Sequence, residues 1–314
     1  MDKVRAAVIG AGYLGRFHAQ KYTTLSTCVL QAVVDPQPEV AARVAAELGV
    51  PAVSDYRELL GKVDAVSIVT PTALHFEIAR AFLDSGAHVL VEKPITESVA
   101  QAQQLIDLAR RKGRVLQVGH LERFNPVVIA AEPVLRAPRF IECQRLAPFR
   151  ERGTDVNVVL DLMIHDLDIV QSMVGSEIVA VDAIGTPVFS SEIDIANARI
   201  RFANGCVANA TASRVSLKTE RKLRVFQDDA YLSLDLQQKI LTVIRKQAVP
   251  AGEAHLPVSI EERSFEQGDA LRSEIIAFIA SCRTQAPVIV TGEDGMRALH
   301  TAVIISNAVK GGAS

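Results

Sequence analysis

From the N-terminus to about residue 120, short apolar runs alternate with stretches in which apolar side chains recur every three or four positions. The runs VRAAVIG, CVLQAVVD, DAVSIVT, HVLVEKP and RVLQVGH read as strands. Between them Val40 to Leu48, Leu74 to Ser85 and Ser98 to Lys112 carry helical spacing. Apolar strands separated by amphipathic helices predict a parallel sheet covered on both faces, the doubly wound arrangement.

After Gly119 the rhythm changes. A helix is expected over Val127 to Leu135, a strand over Pro138 to Pro148 and a helix over Leu160 to Val174. From Glu177 to about Ser264 strand-like runs are separated by turn signals, and Asn204-Gly205 within FANGCVA marks a hairpin. That spacing predicts a mainly antiparallel sheet. Helical patterns over Ala270 to Cys282 and Gly292 to Val309 close the chain. The expected organisation is α/β throughout, with a first domain over residues 1–120 and a second over 121–314.

The 314 residues exceed what one hydrophobic core usually supports, and 49% hydrophobic with 22% charged residues is an ordinary globular balance. With 34 basic against 36 acidic residues, the chain lacks the charge of a general nucleic-acid binder. Cys28, Cys143, Cys206 and Cys282 are far apart and suggest neither a disulfide framework nor a zinc ribbon. No signal-peptide pattern or bilayer-length apolar run is present, so a cytoplasmic protein without membrane partners is expected.

Candidate chemistry sits at the strand ends. In GAGYLG, Gly10, Gly12 and Gly15 take the G-x-G-x-x-G spacing around Tyr13 and Leu14, between a strand and a helix. Such a turn brings backbone amides to a pyrophosphate at a helix N-terminus. Asp35 closes the second strand twenty residues beyond Gly15, where a carboxylate bonds an adenosine ribose. Pro36 and Gln37 follow it, so a 2′-phosphate meets no compensating cation and NAD is expected in preference to NADP. Ligands of parallel sheets lie beyond the carboxyl ends of strands, which places Thr70, Pro71 and His75 of TPTALH and Glu92-Lys93-Pro94 along a cofactor cleft. His75 is equally suited to an exposed first helical turn. Lys93 is expected to point into the cleft, with Glu92 holding either the strand end or the lysine.

In VVLDLMIHDLDIV, Asp161 and His165 stand four residues apart on one helical face, with Asp168 three further on. An isolated pattern of this kind is most simply a solvated polar stripe. A metal site from His165, Asp166 and Asp168 has poor geometry, because Asp166 points away from the stripe, and no metal is expected.

GAGYLG, TPTALH, EKP, QVGHLERFNP, the later Asp-x-x-x-His and the ending VTGEDGMRAL, in that order over nearly the whole chain, resemble the Gfo/Idh/MocA family of NAD(P)-dependent sugar and cyclitol oxidoreductases. The resemblance implies a Rossmann domain followed by an open α/β domain that carries the substrate pocket. It implies Lys93 beside the reacting carbon, His165 as general base, Asp161 or Lys93 on the same substrate hydroxyl, and Arg123 and Asn125 near the cofactor or the domain junction. Asn157, Val158, Val159 and Met163 stand where many members carry glycines, which implies a bulkier lining. GHLERFNP with IHDLD is similar to the branch that oxidises nucleotide-linked amino sugars, such as UDP-N-acetylglucosamine at C3. Alternatives are a free-sugar or cyclitol dehydrogenase, a biliverdin reductase-like enzyme and a non-catalytic sugar sensor; EKP and Asp-x-x-x-His favour hydroxyl chemistry. Family likeness also implies a homodimer or homotetramer.

A phosphorylated substrate is the last expectation. Arg136, Arg139, Arg145, Arg150 and Arg152 crowd one segment, and Lys218, Arg221, Lys222 and Arg224 another. Arginine forks suit phosphate oxygens, so Arg150 and Arg152 are candidates for a diphosphate linker.

Overall fold

The computed structural model describes residues 2–150, 154, 156–247 and 258–311. The chain forms two compact units, Met1–Leu121 with Asp269–Leu299, and Glu122–Gly268 with His300–Ser314.

In the first unit six parallel strands take the order β3-β2-β1-β4-β5-β6. They are β1 (Val4–Ile9), β2 (Cys28–Val34), β3 (Ala52–Val53), β4 (Ala65–Ile68), β5 (His88–Glu92) and β6 (Leu116–Gly119). Helices α1 (Tyr13–Thr23), α2 (Pro38–Leu48), α3 (His75–Asp84) and α4 (Val99–Lys112) connect them. Each boundary has a local cause. Pro38 starts α2 with its fixed φ, and Gly49 ends it in the left-handed region. Ser98 and Gln101 cap α4 reciprocally, and Gly113 ends it. Strand order reverses between β2 and β4 on either side of β1, the switch point of a doubly wound sheet. The register pairs Ile68 with both Ile9 and Val91, and Glu92 with Gly119, so these strands end side by side.

Periodicity alone assigns everything after residue 120 to one domain, whereas Asp269–Leu299 belongs to the first unit. Burial explains the difference. Helix α5 (Pro126–Ala131) and the later α6 (Ile164–Val174) stay in the second unit, but α7 (Ala270–Thr284) does not. Leu271, Ile275, Phe278 and Ile279 of α7 share one apolar cluster with Val8, Tyr22, Leu30 and Leu90. Helix α8 (Gly292–Gly311) begins in the first unit, where a Cβ on Gly295 would meet Val118 at 2.7 Å.

The second unit is built on an eight-stranded sheet of order β14-β13-β12-β11-β7-β10-β9-β8. Its strands are β7 (Phe140–Leu146), β8 (Ile178–Thr186), β9 (Ile195–Phe202), β10 (Val207–Ser213), β11 (Glu220–Phe226), β12 (Ala230–Asp235), β13 (Ile240–Lys246) and β14 (Val258–Ser264). Among the described strands of this sheet, only the β7–β10 pair is parallel. Asn204-Gly205 forms the expected β9–β10 turn, with Gly205 at φ +87. The helix expected to reach Leu135 stops at Ala131 and gives way to a 3-10 turn over Glu132–Val134, because Pro133 has no N–H to continue the α pattern. The expected helix from Leu160 opens instead as a π-helix, Val159–Met163, that runs into α6. Buried alternate residues of β9 and β10, such as Ala198, Ile200, Ala208 and Ala210, supply the sheet's packed face. All four cysteines are free, and among the described residues no helix is long and apolar enough to cross a membrane.

Because α7 completes the first unit's core, Phe278→Ala is expected to cost about 3–5 kcal/mol of unfolding free energy. Urea denaturation checks this; a loss below about 1 kcal/mol would be that of a surface helix.

Candidate active site

The chain leaves β1 through Gly10, which sits at φ +94 with an added Cβ only 2.5 Å from the Val69 carbonyl. A Cβ on Gly15 would lie 1.8 Å from the Gly10 carbonyl. Only glycine lets α1 start this close to the strand ends. The N-cap residue Gly12 offers α1 no side-chain bond, so the positive end of the helix dipole is left to a ligand or to solvent. Tyr13 and Leu14, on the first turn, are exposed.

Asp35 sits half-buried just after β2. Its Oδ2 accepts the Ala11 N–H at 3.0 Å and its Oδ1 accepts the Gln37 N–H at 3.0 Å. The carboxylate thus shapes the glycine turn that it flanks. A cavity of about 410 Å³ opens beside it, lined by Gly10, Val34, Pro36, Tyr56, Arg57 and Thr70 among others. The Thr70 hydroxyl is buried with no hydrogen-bond partner. Tyr56 and Arg57 escaped sequence reading because they come from a 3-10 turn, Tyr56–Leu59, with no motif of its own. Arg57 stacks on Tyr56 at 4.8 Å and is held by Glu77 at 3.0 Å and Asp55 at 3.3 Å.

His75 takes neither of its expected places. It is 1% exposed, and its Nδ1 and Nε2 lie 2.9 Å from the carbonyl oxygens of Pro94 and Thr70 respectively. Burial lowers its pKa below the ordinary value against the opposing pull of those carbonyls. His75 therefore sits between the TPT turn and the EKP turn, where the single N–H of the neutral ring can bond either carbonyl. Pro71, by contrast, is exposed.

At the end of β5, Glu92 Oε1 lies 3.1 Å from His18 Nε2 on α1, and Glu92 Oε2 accepts the Lys93 N–H at 3.3 Å. Burial alone would raise the pKa of Glu92, yet His18 and Lys93 lower it below the usual carboxylate range. Lys93 is half-buried, and the Lys93–Pro94 peptide is cis.

In the second unit Asp161 lies on the π-helix and His165 on the first turn of α6, both half-buried. The stripe is not a solvated one. Asp168 is 3% exposed and lies 3.6 Å from Arg123. Asp166 is bound by Arg145 at 2.7 Å, and Arg145 also reaches Glu122 at 3.0 Å. Burial opposes the charge of Arg145, but Asp166 and Glu122 outweigh it and raise its pKa. Asp166 and Asp168 each have an arginine, as a structural pair does. Among the described residues, the trio whose metal-ligand-type atoms lie within 4.8 Å of one another is instead His18, Glu92 and Glu274.

Two family models match the chain: the NAD-binding Rossmann fold of the Gfo/Idh/MocA oxidoreductases over residues 4–120, and the C-terminal alpha/beta domain of the same family over residues 149–314. The chain belongs to this oxidoreductase family. It is 40% identical over 314 residues to the UDP-N-acetylglucosamine 3-dehydrogenase of Acidithiobacillus ferrooxidans, covering 99% of this chain and 98% of that one. A solved structure of that dehydrogenase superposes with a TM-score of 0.93 and covers 99% of both chains. The scyllo-inositol 2-dehydrogenase (NAD(+)) of Bacillus subtilis is 32% identical over 68% of each chain. The scyllo-inositol dehydrogenase of Lactobacillus casei, solved with NAD(H) and scyllo-inositol, shares the fold at a TM-score of 0.83 and 22% identity, covering 99% of this chain and 98% of that one.

Several family-motif residues serve the scaffold. Asn125 is 1% exposed; its Oδ1 accepts the Val127 N–H as the cap of α5, and its Nδ2 donates to Glu122 and to the Leu236 carbonyl. Those bonds tie both polar atoms of the side chain to the fold. Of the basic clusters, Arg145 is buried in its pairs, whereas Arg221 near Glu122, Lys222 near Asp235, Arg224 near Glu142 and Lys218 near Glu220 keep side chains open to solvent. Arg150 is exposed, and Arg152 lies outside the described residues.

Removing Asp166 leaves the buried Arg145 with Glu122 as its remaining counter-charge. Asp166→Ala is therefore expected to destabilise the second unit by about 3 kcal/mol, read from the unfolding midpoint.

Proposed function

We propose that this protein oxidises a secondary ring hydroxyl of a nucleotide sugar, UDP-N-acetylglucosamine at C3 or a close analogue, with NAD as hydride acceptor. The near end-to-end 40% identity with a UDP-N-acetylglucosamine 3-dehydrogenase carries the substrate assignment. The cofactor fits the residues present. Gly10 and Gly15 leave no room for side chains, the α1 N-terminus is without a side-chain cap, and the Thr70 hydroxyl has no partner. Bound there, NAD supplies a carbon that accepts hydride.

Gly10, Gly12, Tyr13, Leu14 and Gly15 would hold the pyrophosphate, with Asp35 on the adenosine ribose and Thr70 and Pro71 along the cleft. With Asp35 on the adenosine ribose, a 2′-phosphate would meet a like charge, which supports NAD over NADP. Loss of hydride yields a carbonyl only if the hydroxyl proton leaves, and an imidazole is a suitable acceptor for it. His165 takes the proton, Asp161 bonds the substrate hydroxyl, and the Lys93 ammonium stabilises negative charge on the oxygen as it develops. Arg150 and Arg152 meet the diphosphate. His75 and Glu92 brace the first unit, and Arg123 and Asn125 brace the second.

Lys93→Ala and His165→Ala are each expected to lower kcat by about 10²- to 10⁴-fold while leaving NAD affinity nearly unchanged. A His165 variant within a few-fold of the parent would return that residue to structure. NAD(H) is expected to bind more tightly than NADP(H), with Asp35→Ser narrowing the gap; equal affinities in the parent protein sink the cofactor assignment. Reduced-nicotinamide absorbance with UDP-N-acetylglucosamine, free N-acetylglucosamine and inositols tests the substrate. The nucleotide sugar should be turned over best, and Arg150→Ala should raise its KM selectively. Equal turnover of a neutral cyclitol would overturn the diphosphate reading.

A further inference from the structure

The core of the first unit contains a carboxyl group that the dinucleotide fold does not require. Glu274 lies on the inward face of α7 among Leu271, Ile275 and Phe278, and it is 0% exposed. Neither of its carboxylate oxygens has a hydrogen-bond partner. A buried acid in an apolar helix face costs stability unless it does something there. What it faces is the Glu92–His18 pair: a ligand-type atom from each of His18, Glu92 and Glu274 lies within 4.8 Å of the other two.

The surroundings of that trio are closed. Gly119 leaves no room for a side chain on one flank, since an added Cβ would lie 2.8 Å from Glu92 Oε1. Gln117 donates from Nε2 to the Glu274 backbone carbonyl at 3.3 Å, which fixes the helix turn that carries the acid. The titrating groups near it are Glu92 at the end of β5 and His18 and Tyr22 from α1, while Lys93 acts on Glu92, and the Tyr22 hydroxyl is occupied by Ser67 at 2.8 Å. Two ionised carboxylates side by side in this core would repel one another. One proton on the pair relieves that repulsion.

Which carboxyl holds the proton follows from the contacts. Glu92 already accepts from His18 and from the Lys93 amide, and those bonds favour its ionised form. Glu274 has no such bonds, and burial together with the charge on Glu92 pushes its pKa well above the ordinary carboxyl value. The environment separates two like groups into one acid and one base.

We infer that Glu274 is a positioning residue of the active site: as an un-ionised carboxylic acid it stands as a hydrogen-bond donor beside the Glu92 carboxylate, and through Glu92 it holds the Lys93 backbone in place. This rests on the proposed role of Lys93 at the substrate hydroxyl. Glu274 touches no reacting atom. It acts because the Glu92 carboxylate takes one orientation only while its neighbours are a donor on α7, His18 on α1 and the amide of Lys93. A lysine displaced by a fraction of an ångström from a remote change loses catalytic efficiency without loss of cofactor binding.

Two measurements test this separately. Infrared difference spectroscopy of the parent protein against Glu274→Gln at neutral pH is expected to show a protonated-carboxyl C=O band that the variant lacks. This readout needs no enzyme activity, so it stands even if Lys93 proves dispensable. In steady-state assays Glu274→Gln, which keeps a neutral donor of the same shape, should stay within a few-fold of the parent. Glu274→Met, with no donor, should lose kcat by about tenfold or more with unchanged NAD affinity. The parent's activity should also fall at alkaline pH along a limb that Glu274→Gln lacks. Absence of the infrared band overturns the inference, as does an equal kcat for Glu274→Met and parent. Replacement of the band by ionised-carboxylate bands on adding zinc also overturns it, in favour of a buried cation site. If Glu274→Met does not fold, the Glu274→Gln spectrum and pH profile still decide the question.

Discussion

A carboxylate at the end of a buried strand must keep partners or give up its charge, and Glu92 keeps two. It is bonded to His18 on α1 and to the amide of Lys93, and Glu274 of α7 faces it. Those contacts join the helix that follows the glycine turn, the EKP turn and a helix from the far end of the chain to a single side chain. The carboxyl edge of the sheet is therefore organised around one desolvated charge. Gly119 carries no side chain because Glu92 lies against it. His75 completes the arrangement by sitting between the Thr70 and Pro94 carbonyls.

Charge pairing also organises the second unit, with arginines in place of a histidine. Arg145 on β7 binds Asp166 and Glu122, and Arg123 lies beside Asp168. Of the acids in the IHDLD stretch and the turn before it, Asp166 and Asp168 are thus committed to arginines. Asp161 and His165 stay at the half-buried edge. The π-helix ahead of α6 changes the angular spacing there, a feature often found at functional sites.

Much was legible in the chain because local rules decide it. Apolar runs and helical spacing marked five of the six parallel strands, leaving out the two-residue β3, and the glycine spacing with Asp35 marked the dinucleotide turn. Other features had no local signal. Tyr56 and Arg57 reach the first unit's cavity by way of a short 3-10 turn, and Glu274 sits in an amphipathic pattern where a lone acid reads as a solvated position. Asn125 and Arg145 looked available for ligands because a sequence does not display the partner that satisfies a polar side chain.

By itself the sequence determined the element types, the family and the residues that carry polar chemistry at strand ends, since backbone conformation and apolar periodicity are short-range properties. Tertiary structure alone decided that Asp269–Leu299 returns to the first unit, that His75 is buried between two turns and Asn125 is a cap, and that Arg145 is spent on Asp166. The physical reason is common to all of them: burial and pairing depend on neighbours distant in sequence, and it is the neighbour that sets whether a charge is a ligand, a brace or a proton carrier.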